Sequence, residues 1–446
     1  MVLPQNNKYN VFISLFIILL ILVLTSITSF YLGKEYQKQR YATVPQIRVT
    51  PAPTPITNKQ VNNSQILKKD TTYFSYVSPE DGNIYIEDMM ENNIKVTDIK
   101  DKNLIIYSYP KILDTKKIVY VEEIKAEKSR QFSLIIKNIQ TNQQETIVTH
   151  KSIPNDNGYL IGGEITEVSV SDNGEKIAYS VYEVPTLENS KVTINVYDVD
   201  SKTSNKLVSI TPPGGRGGSL DDNNQLIFSE DGKKLIANMT FMLPNFFEDT
   251  GSLYIFDIST QEVKVLYKNN EYDSKKGTNW ATFGVWKSNN ITLFKLINYE
   301  VGSTLVSFNT STLNKNIETN NISDWYEFMP TNNNSFIYYT VNRNGRNGIT
   351  VYDYSFNTNT STKIIDNMRP KYIVGNNLYA TVMEPCNNKD KPVEGIKECG
   401  MDVFNGVKET ENAKIIDLQT KQITNAPENL GRLVNNYFSY VSFKKL

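Results

Sequence analysis

Hydrophobic and polar positions fall into two regimes along the chain. The first is one unbroken block, Val11–Leu32, VFISLFIILLILVLTSITSFYL, with no charge in 22 residues. As a helix, at about 1.5 Å per residue, it is roughly 33 Å long and matches a ~30 Å hydrocarbon core. A buried core helix of that length would carry polar residues on one face. A cleaved signal peptide has an apolar stretch of about 7–15 residues and a small-residue cleavage site. Here the run continues into Phe30, Tyr31, Leu32, Gly33 and Lys34. The pattern predicts a retained transmembrane helix over 11–32. The second regime runs from Tyr73 to the end. It consists of short alternating stretches separated by Asn, Asp, Gly, Ser and Thr, the pattern of half-buried strands.

The strand-rich part repeats. A strand ends in Asp or Asn, a polar turn follows, and a second strand returns. The seven units are NIYIEDMMENNIKVTDI (Asp88), SLIIKNIQTNQQETIV (Asn138), TINVYDVDSKTSNKLV (Asp198), SLYIFDISTQEVKVLY (Asp257), TLVSFNTSTLNKNIE (Asn309), ITVYDYSFNTNTSTKII (Asp353) and AKIIDLQTKQIT (Asp417). A strand-end Asx side chain can accept a backbone amide of the following turn, so a structural role is expected for all seven. Upstream of most lies a second hairpin with a tighter turn: VSVSDNGEKIAYSVY, LIFSEDGKKLIANMTF and FGVWKSNNITLFKLI, with weaker forms FMPTNNNSFIYYTV and IVGNNLYATVM. Asp-Gly, Asn-Gly and Asn-Asn suit turns that need positive φ. Two hairpins make four antiparallel strands per unit, which is the blade of a β-propeller. The fold expected is all-β: a β-propeller of seven blades, with six or eight also compatible, behind one N-terminal transmembrane helix.

Ser171–Tyr179 (SDNGEKIAY) and Ser229–Ala237 (SEDGKKLIA) resemble the S-P-D-G-k-x-I-A-F signature of Tol-system and prolyl-oligopeptidase-type (dipeptidyl-peptidase IV N-terminal-like) propeller repeats. Ser78–Gly82 (SPEDG) is similar with one residue inserted. The resemblance implies the propeller fold for most of 73–446. It implies no peptidase activity, because no G-x-S-x-G elbow occurs and no hydrolase domain follows.

Ring closure gives an internal check. One strand, Tyr73–Ser78, precedes the first hairpin, and one strand, Tyr437–Phe443, ends the chain; both contain YFSYVS. Closure that leaves no exposed sheet edge calls for three N-terminal strands and the C-terminal strand in one mixed blade. The chain divides into a cytoplasmic N terminus (1–10), the transmembrane helix (11–32), a Pro/Thr-rich stalk (33–70) and the propeller (71–446).

Charge changes the functional picture by exclusion. Lys plus Arg is 47 and Asp plus Glu is 48, a net charge of −1. Nucleic acid as a partner is not expected, because it calls for a basic face. One histidine and two cysteines exclude multi-His metal sites, zinc ribbons and iron–sulfur clusters. No EF-hand spacing occurs. No cofactor, metal or catalytic constellation is expected. Lys34, Lys38 and Arg40 against Lys8 lean toward a cytoplasmic C-terminal side. The stalk and the pair of cysteines favour the opposite orientation, N-inside and C-outside, which is the one adopted.

Candidate binding residues sit in the longer connections. Arg216, between two Gly pairs in TPPGGRGGSL, can hold a carboxylate or phosphate; a plain surface loop is the alternative. Phe246 and Phe247 in FMLPNFFEDT either cover a neighbouring blade or form a partner patch. Trp280, Trp286 and Trp325 are expected to pack in the core. His150 reads as an ordinary loop residue. Cys386 and Cys399 flank NNKDKPVEGIKE, and a bridge closing that loop would contribute roughly 3 kcal/mol.

The expected function is binding: a membrane-anchored extracytoplasmic scaffold for a protein, peptide or envelope ligand, with the bilayer as second partner. Two alternatives stand. A propeller-type hydrolase or lyase predicts carboxylates and Arg converging at one mouth of the channel. A structural subunit of an envelope complex predicts a flat face and no pocket. The binding reading predicts an apolar or aromatic patch.

Overall fold

The computed structural model describes residues 67–446 apart from 100, 155–159, 187–188, 212–224, 243–248, 269–278, 299–301, 321, 323, 332–333, 342–348, 386–406, 428–429 and 431–440. Met1–Gln60 and Val61–Leu446 are two compact units. The first lies wholly outside the described residues, and Val11–Leu32 with it. No helix among the described residues is long and apolar enough to cross a membrane.

The second unit is built from strands in sets of four. The first three are β1 (Thr72–Val77), β2 (Ile84–Asp88) and β3 (Asn93–Lys95). Next come β4 (Ile105–Ile112), β5 (Lys117–Ala126), β6 (Ser129–Asn138) and β7 (Gln144–Pro154). They are followed by β8 (Leu160–Val170), β9 (Lys176–Thr186), β10 (Asn189–Asp198) and β11 (Thr203–Ile210). The fourth set is β12 (Gln225–Phe228), β13 (Lys234–Met242), β14 (Asp249–Asp257) and β15 (Glu262–Lys268). The fifth is β16 (Asn279–Ser288), β17 (Ile291–Asn298), β18 (Gly302–Asn309) and β19 (Lys315–Asn320). The sixth is β20 (Trp325–Pro330), β21 (Ser335–Val341), β22 (Ile349–Ser355) and β23 (Thr360–Asp366). The last are β24 (Met368–Val374), β25 (Asn377–Pro385), β26 (Val407–Asp417), β27 (Ile423–Asn425) and the C-terminal β28 (Val441–Lys445).

Among the described residues these form five four-stranded sheets and one eight-stranded sheet, β11 to β4. The eight-stranded sheet is continuous only because β7 and β8 pair at Ser152–Gly162, Ile153–Ile161 and Pro154–Leu160, beside the connection between them. The first strands of successive sets, with β28, touch in order around an axis: β28, β4, β8, β12, β16, β20, β24 and back to β28. The arrangement is a β-propeller.

Its core is divided into slices between neighbouring sheets. Val192, Ile194 and Val196 of one set meet Leu235, Ala237 and Phe256 of the next. Ile337, Tyr339 and Val351 meet Leu378, Ala380 and Ile416. Phe74 and Tyr76 of β1 meet Tyr379 and Val441, which closes the ring of slices. Each slice works because alternate residues of a strand face opposite neighbours, so both faces of every sheet must be apolar.

Closure is as the termini implied. The sheet order is β28-β1-β2-β3, three N-terminal strands and the C-terminal one. Phe74 faces Phe443, Ser75 faces Ser442 and Tyr76 faces Val441, so the two YFSYVS segments overlap across the seam. The closing strand is Val441–Lys445 rather than Tyr437–Phe443, and 437–440 lie outside the described residues. Packing of the domain reaches back to Leu67, which is buried beside Ile84 and Ile118. Its amide donates to Thr115 O at 3.2 Å.

The turns explain the recurring residues. Asp257 Oδ1 accepts the amides of Ser259 (3.0 Å) and Thr260 (3.1 Å). Asn138 Oδ1 accepts those of Gln140 (2.9 Å) and Thr141 (3.0 Å). Asp88, Asp198, Asn309 and Asp417 cap their turns in the same way. Asp353 does not. Strand β22 runs two residues further, the hairpin closes at Ser355–Thr360, and Asp353 Oδ1 is buried without a hydrogen bond. Asp257→Ala is therefore expected to cost about 1 kcal/mol, the scale of a lost cap, and Asp353→Ala less. Urea unfolding midpoints check the difference.

The S-x-[DN]-G turns are equally specific. Ser171 Oγ donates to Asn173 Oδ1 at 2.7 Å and accepts the Lys176 amide at 3.0 Å. Ser229, Asp231 and Lys234 repeat this at 2.7 and 3.0 Å. Ser78–Gly82 is a different element: it joins β1 to β2, whereas the other two join the first and second strands of their sets. His150 also departs from expectation. It lies inside β7, opposite Phe132, and is half-buried.

Candidate functional site

The innermost strand of a propeller blade is covered by its own sheet on one edge only, so its side chains decide what the channel presents. Several of these strands break register. Shifts fall between Ser108 and Lys111 in β4, Ile165 and Glu167 in β8, Tyr326 and Met329 in β20, and Pro370 and Tyr372 in β24. A bulge bends the strand and re-aims its side chains. Within the inner strands, Tyr109 (φ +51°) and Glu327 (φ +45°) sit in the left-handed region, and both lie in these bulges. Such a conformation costs a non-glycine residue about 1–2 kcal/mol and persists only where its surroundings hold it.

Here polar links between adjacent sets hold it. Tyr109 Oη donates to Thr166 O, in the bulge of β8. Glu327 accepts Arg369 Nη2 of β24 at 3.1 Å and Tyr339 Oη at 3.2 Å. Lys295 donates to Trp325 O at 2.7 Å. At the end of β28, Lys444 Nζ donates to Ser171 O at 3.2 Å and Asp172 O at 2.5 Å, tying the closing strand to the β8–β9 turn.

Two charged side chains stand apart from this network. Lys111 of β4 and Glu167 of β8 lie on neighbouring inner strands, and each is half-buried. Burial pushes the Glu167 carboxyl up to about 7, against the opposing pull of the Lys111 ammonium and the Val168 amide. Burial pushes the Lys111 ammonium down, opposed by Glu167. Tyr372 of β24 is half-buried, and burial, then the Glu327 charge, raises its hydroxyl to about 12.

The sign of the pH effect follows. Glu167 holds its proton more tightly folded than at its ordinary value of 4.5. Its contribution to stability is complete below 4.5 and is lost as pH rises through about 7. Glu167→Gln should raise the melting temperature by several degrees at pH 8 and leave it unchanged at pH 4.5. Equal shifts at both pH values would contradict an enclosed carboxyl.

A second group lies where β7 and β8 join. Arg130 Nη1 is 3.4 Å from Glu123 Oε1, and Glu164 is raised by burial and by Glu123, with Arg130 opposing. His150 is lowered by burial, with Glu183 opposing.

No family model matches the chain, and no curated protein matches it in sequence. Solved structures similar to it include TolB and the propellers of peptidases, at low identity. TolB from Acinetobacter baumannii has a TM-score of 0.38 at 13% identity, over 77% of this chain and 75% of that one. The β-propeller domain of the Trilobed protease from Pyrococcus furiosus has 0.45 at 15%, over 73% and 86%. Dipeptidyl peptidase 4 from Porphyromonas gingivalis has 0.47 at 10%, over 79% of this chain and 51% of that one. The chain thus spans about half the length of that peptidase.

Arg216, Phe246, Phe247, Cys386 and Cys399 lie outside the described residues. The strand ends that flank them, of β11 and β12, β13 and β14, and β25 and β26, lie on the face where the inner strands begin. Trp286 and Trp325 behave as core. Trp286 is buried and donates to Ile227 O at 2.9 Å, and Trp325 stacks on Tyr338 at 3.9 Å. Trp280 is on β16, opposite Ile297. The apolar patch expected of a binding face is not present among the described residues. Exposed Met90 and Ile423 stand on separate outer hairpins, and Leu313 and Ile317 share the β18–β19 hairpin. No group of three or more His, Cys, Asp or Glu among the described residues could hold a metal.

Proposed function

We propose that the chain is a membrane-anchored, extracytoplasmic propeller of seven blades that binds a protein, peptide or envelope ligand through its channel. The blade number follows from counting β4–β7 and β8–β11 as two blades joined by the short β7–β8 pairing. The anchor rests on the charge-free run Val11–Leu32 and the stalk behind it. A Cys386–Cys399 bridge fits that compartment. Arg216, Phe246 and Phe247 are kept as proposed ligand contacts.

One observation supports the binding reading: half-buried Lys111 and Glu167 stand on β4 and β8, neighbouring inner strands around the axis. Charges held this way at a cost in desolvation are what a ligand would use. The test compares partners cross-linked to the full-length chain in its own membranes with those cross-linked to Lys111→Glu. A partner held by the wild type and lost from the variant supports the reading. Equal recovery by both defeats the channel as the site. Labelling of Cys386 and Cys399 in intact, reduced cells checks orientation, since labelling only after lysis contradicts an extracytoplasmic domain.

A second reading is an acid–base enzyme in the same channel. It is favoured by the same residue, because a carboxyl titrating near 7 beside an ammonium suits proton transfer. Turnover of the bound partner that Glu167→Gln abolishes without loss of binding would select it.

A further inference from the structure

We infer that His150 makes the β7–β8 junction an acid-sensitive joint: a neutral imidazole lets the two strands close on each other, and an imidazolium opens them. The inference is independent of what the propeller binds. It concerns the one place among the described residues where two sets of four strands are hydrogen-bonded into a single sheet.

The first ground is how closely the strands approach. A Cβ on Gly162 would lie 2.0 Å from Lys151 O, so only glycine admits β7 there. A Cβ on Gly163 would lie 2.9 Å from His150 Nδ1 and 3.2 Å from its Cγ. The imidazole therefore rests against the bare backbone of Gly163, which is itself buried. Buried Ser152 donates to Gly163 O at 2.9 Å from the other side of Lys151. The ladder that holds the joint is short: Ser152–Gly162, Ile153–Ile161 and Pro154–Leu160, and Pro154 has no N–H to give. A joint with so few bonds opens at a small cost, so one side chain can govern it.

The second ground is what a charged ring would meet. On β6, Phe132 stands opposite His150 and offers no acceptor. Glu123 of β5, opposite Phe132, has Arg130 Nη1 of β6 at 3.4 Å. On β8, Glu164 follows Gly163, and burial, then the Glu123 charge, raises its carboxyl toward the neutral form. Glu183 of β9, opposite Gly163, already accepts Lys191 Nζ of β10 at 3.1 Å and Thr193 Oγ1 at 3.2 Å. The neighbour on β7 itself is Lys151, a like charge. An imidazolium in the closed joint thus has only a carboxylate it must share with Lys191. Burial accordingly lowers His150 below its ordinary 6.5, with Glu183 opposing. A ring that is harder to protonate closed than open carries no penalty above pH 6.5, and opens the joint increasingly as the pH falls below it.

The experiment uses the full-length chain in detergent. His150 is the single histidine, so 13Cε1-labelled histidine gives one ring resonance whose titration needs no assignment. Hydrogen exchange of peptides from β7 and β8 is followed by mass spectrometry at about pH 7.5 and pH 5, corrected for intrinsic rates, with β13 and β14 of the same sample as reference. The resonance should titrate below 6.5. Protection of β7 and β8 should fall several-fold at the lower pH in the wild type while the reference holds. His150→Phe and His150→Gln, which cannot charge, should stay protected at both pH values; the second covers a failure of the first to fold. His150→Lys, charged throughout, should be poorly protected at both. A ring that titrates at 6.5 or above overturns the inference, as does equal protection of the wild type at the two pH values. The same loss at pH 5 in a folded neutral variant would assign the response to the carboxyls and overturn it too.

Discussion

Deleting Val441–Leu446 is expected to leave the domain unfolded, or melting more than ten degrees below the intact chain. The six residues are few, but they are the whole of the closing strand. Their loss removes the ladder from Thr72–Lys445 to Tyr76–Val441 and turns β1 into a bare edge in the middle of the molecule. Phe443 goes with it. Its ring lies 5.8 Å from Phe74, 4.7 Å from Tyr372 and 5.0 Å from Tyr379, bridging the last sheet to the first. Truncating a packed Phe costs about 3–5 kcal/mol, and Val441 adds roughly 1.5–3 kcal/mol of lost burial. The sum is comparable with the 5–15 kcal/mol typical of a whole domain. Circular dichroism melting of the truncated chain is the measurement, with Phe443→Ala as a milder variant expected to lose about 3 kcal/mol. A truncated chain with the melting temperature of the intact one would show that the ring does not depend on this seam.

The fold was legible because its repeats are enforced by atoms at fixed places. A two-hairpin blade needs an acceptor where the third strand turns, and Asp or Asn supplies it in six of the seven hairpins; the exception shows the limit. Asp-Tyr-Ser-Phe-Asn-Thr-Asn offers several Asx positions in a row, and periodicity alone does not say that β22 continues to Ser355. Pairing with β23 decides that. His150 was misread for a related reason. THKSIPNDNG is polar enough for a loop, but β7 and β8 pair along each other there and carry it into a sheet.

The channel wall was far less legible. Lys111 and Glu167 look like stray charges in otherwise apolar strands. Their meaning depends on which strand of four lies innermost, and on bulges that no residue pattern announces. One signal was available. Glu167 lies in the strand just before the SDNGEKIAY turn, and Lys111 just before the corresponding first turn of the preceding unit. Loop residues such as Arg216 drew attention instead because glycine-rich connections are conspicuous. A conspicuous connection says nothing about enclosure, which is a property of the ring as a whole.

Gly174→Ala should be among the most damaging single substitutions in the propeller, at more than about 3 kcal/mol. Two costs add. Gly174 has φ +75°, in the left-handed region, where a Cβ costs about 1–2 kcal/mol. A Cβ there would also lie 2.2 Å from Leu113 O, a backbone atom of the neighbouring turn that follows β4. No side chain can swing aside to relieve this, so either the β8–β9 turn or the β4–β5 turn must move. Both turns are anchored. Ser171 is bonded to Asn173 and Lys176, and Leu113 donates its amide to Lys117 O at 2.9 Å. Movement would also disturb the carbonyls of Ser171 and Asp172 that receive Lys444, so the strain would reach the closing strand. Gly375→Ala separates the two costs. Gly375 has φ +60° in the turn between β24 and β25, and a Cβ there would meet nothing within 4 Å. It should lose only the conformational part, about 1–2 kcal/mol. Urea denaturation of the two variants gives the comparison directly. Equal losses would mean that the turns of adjacent sheets are not pressed together as the Leu113 carbonyl requires.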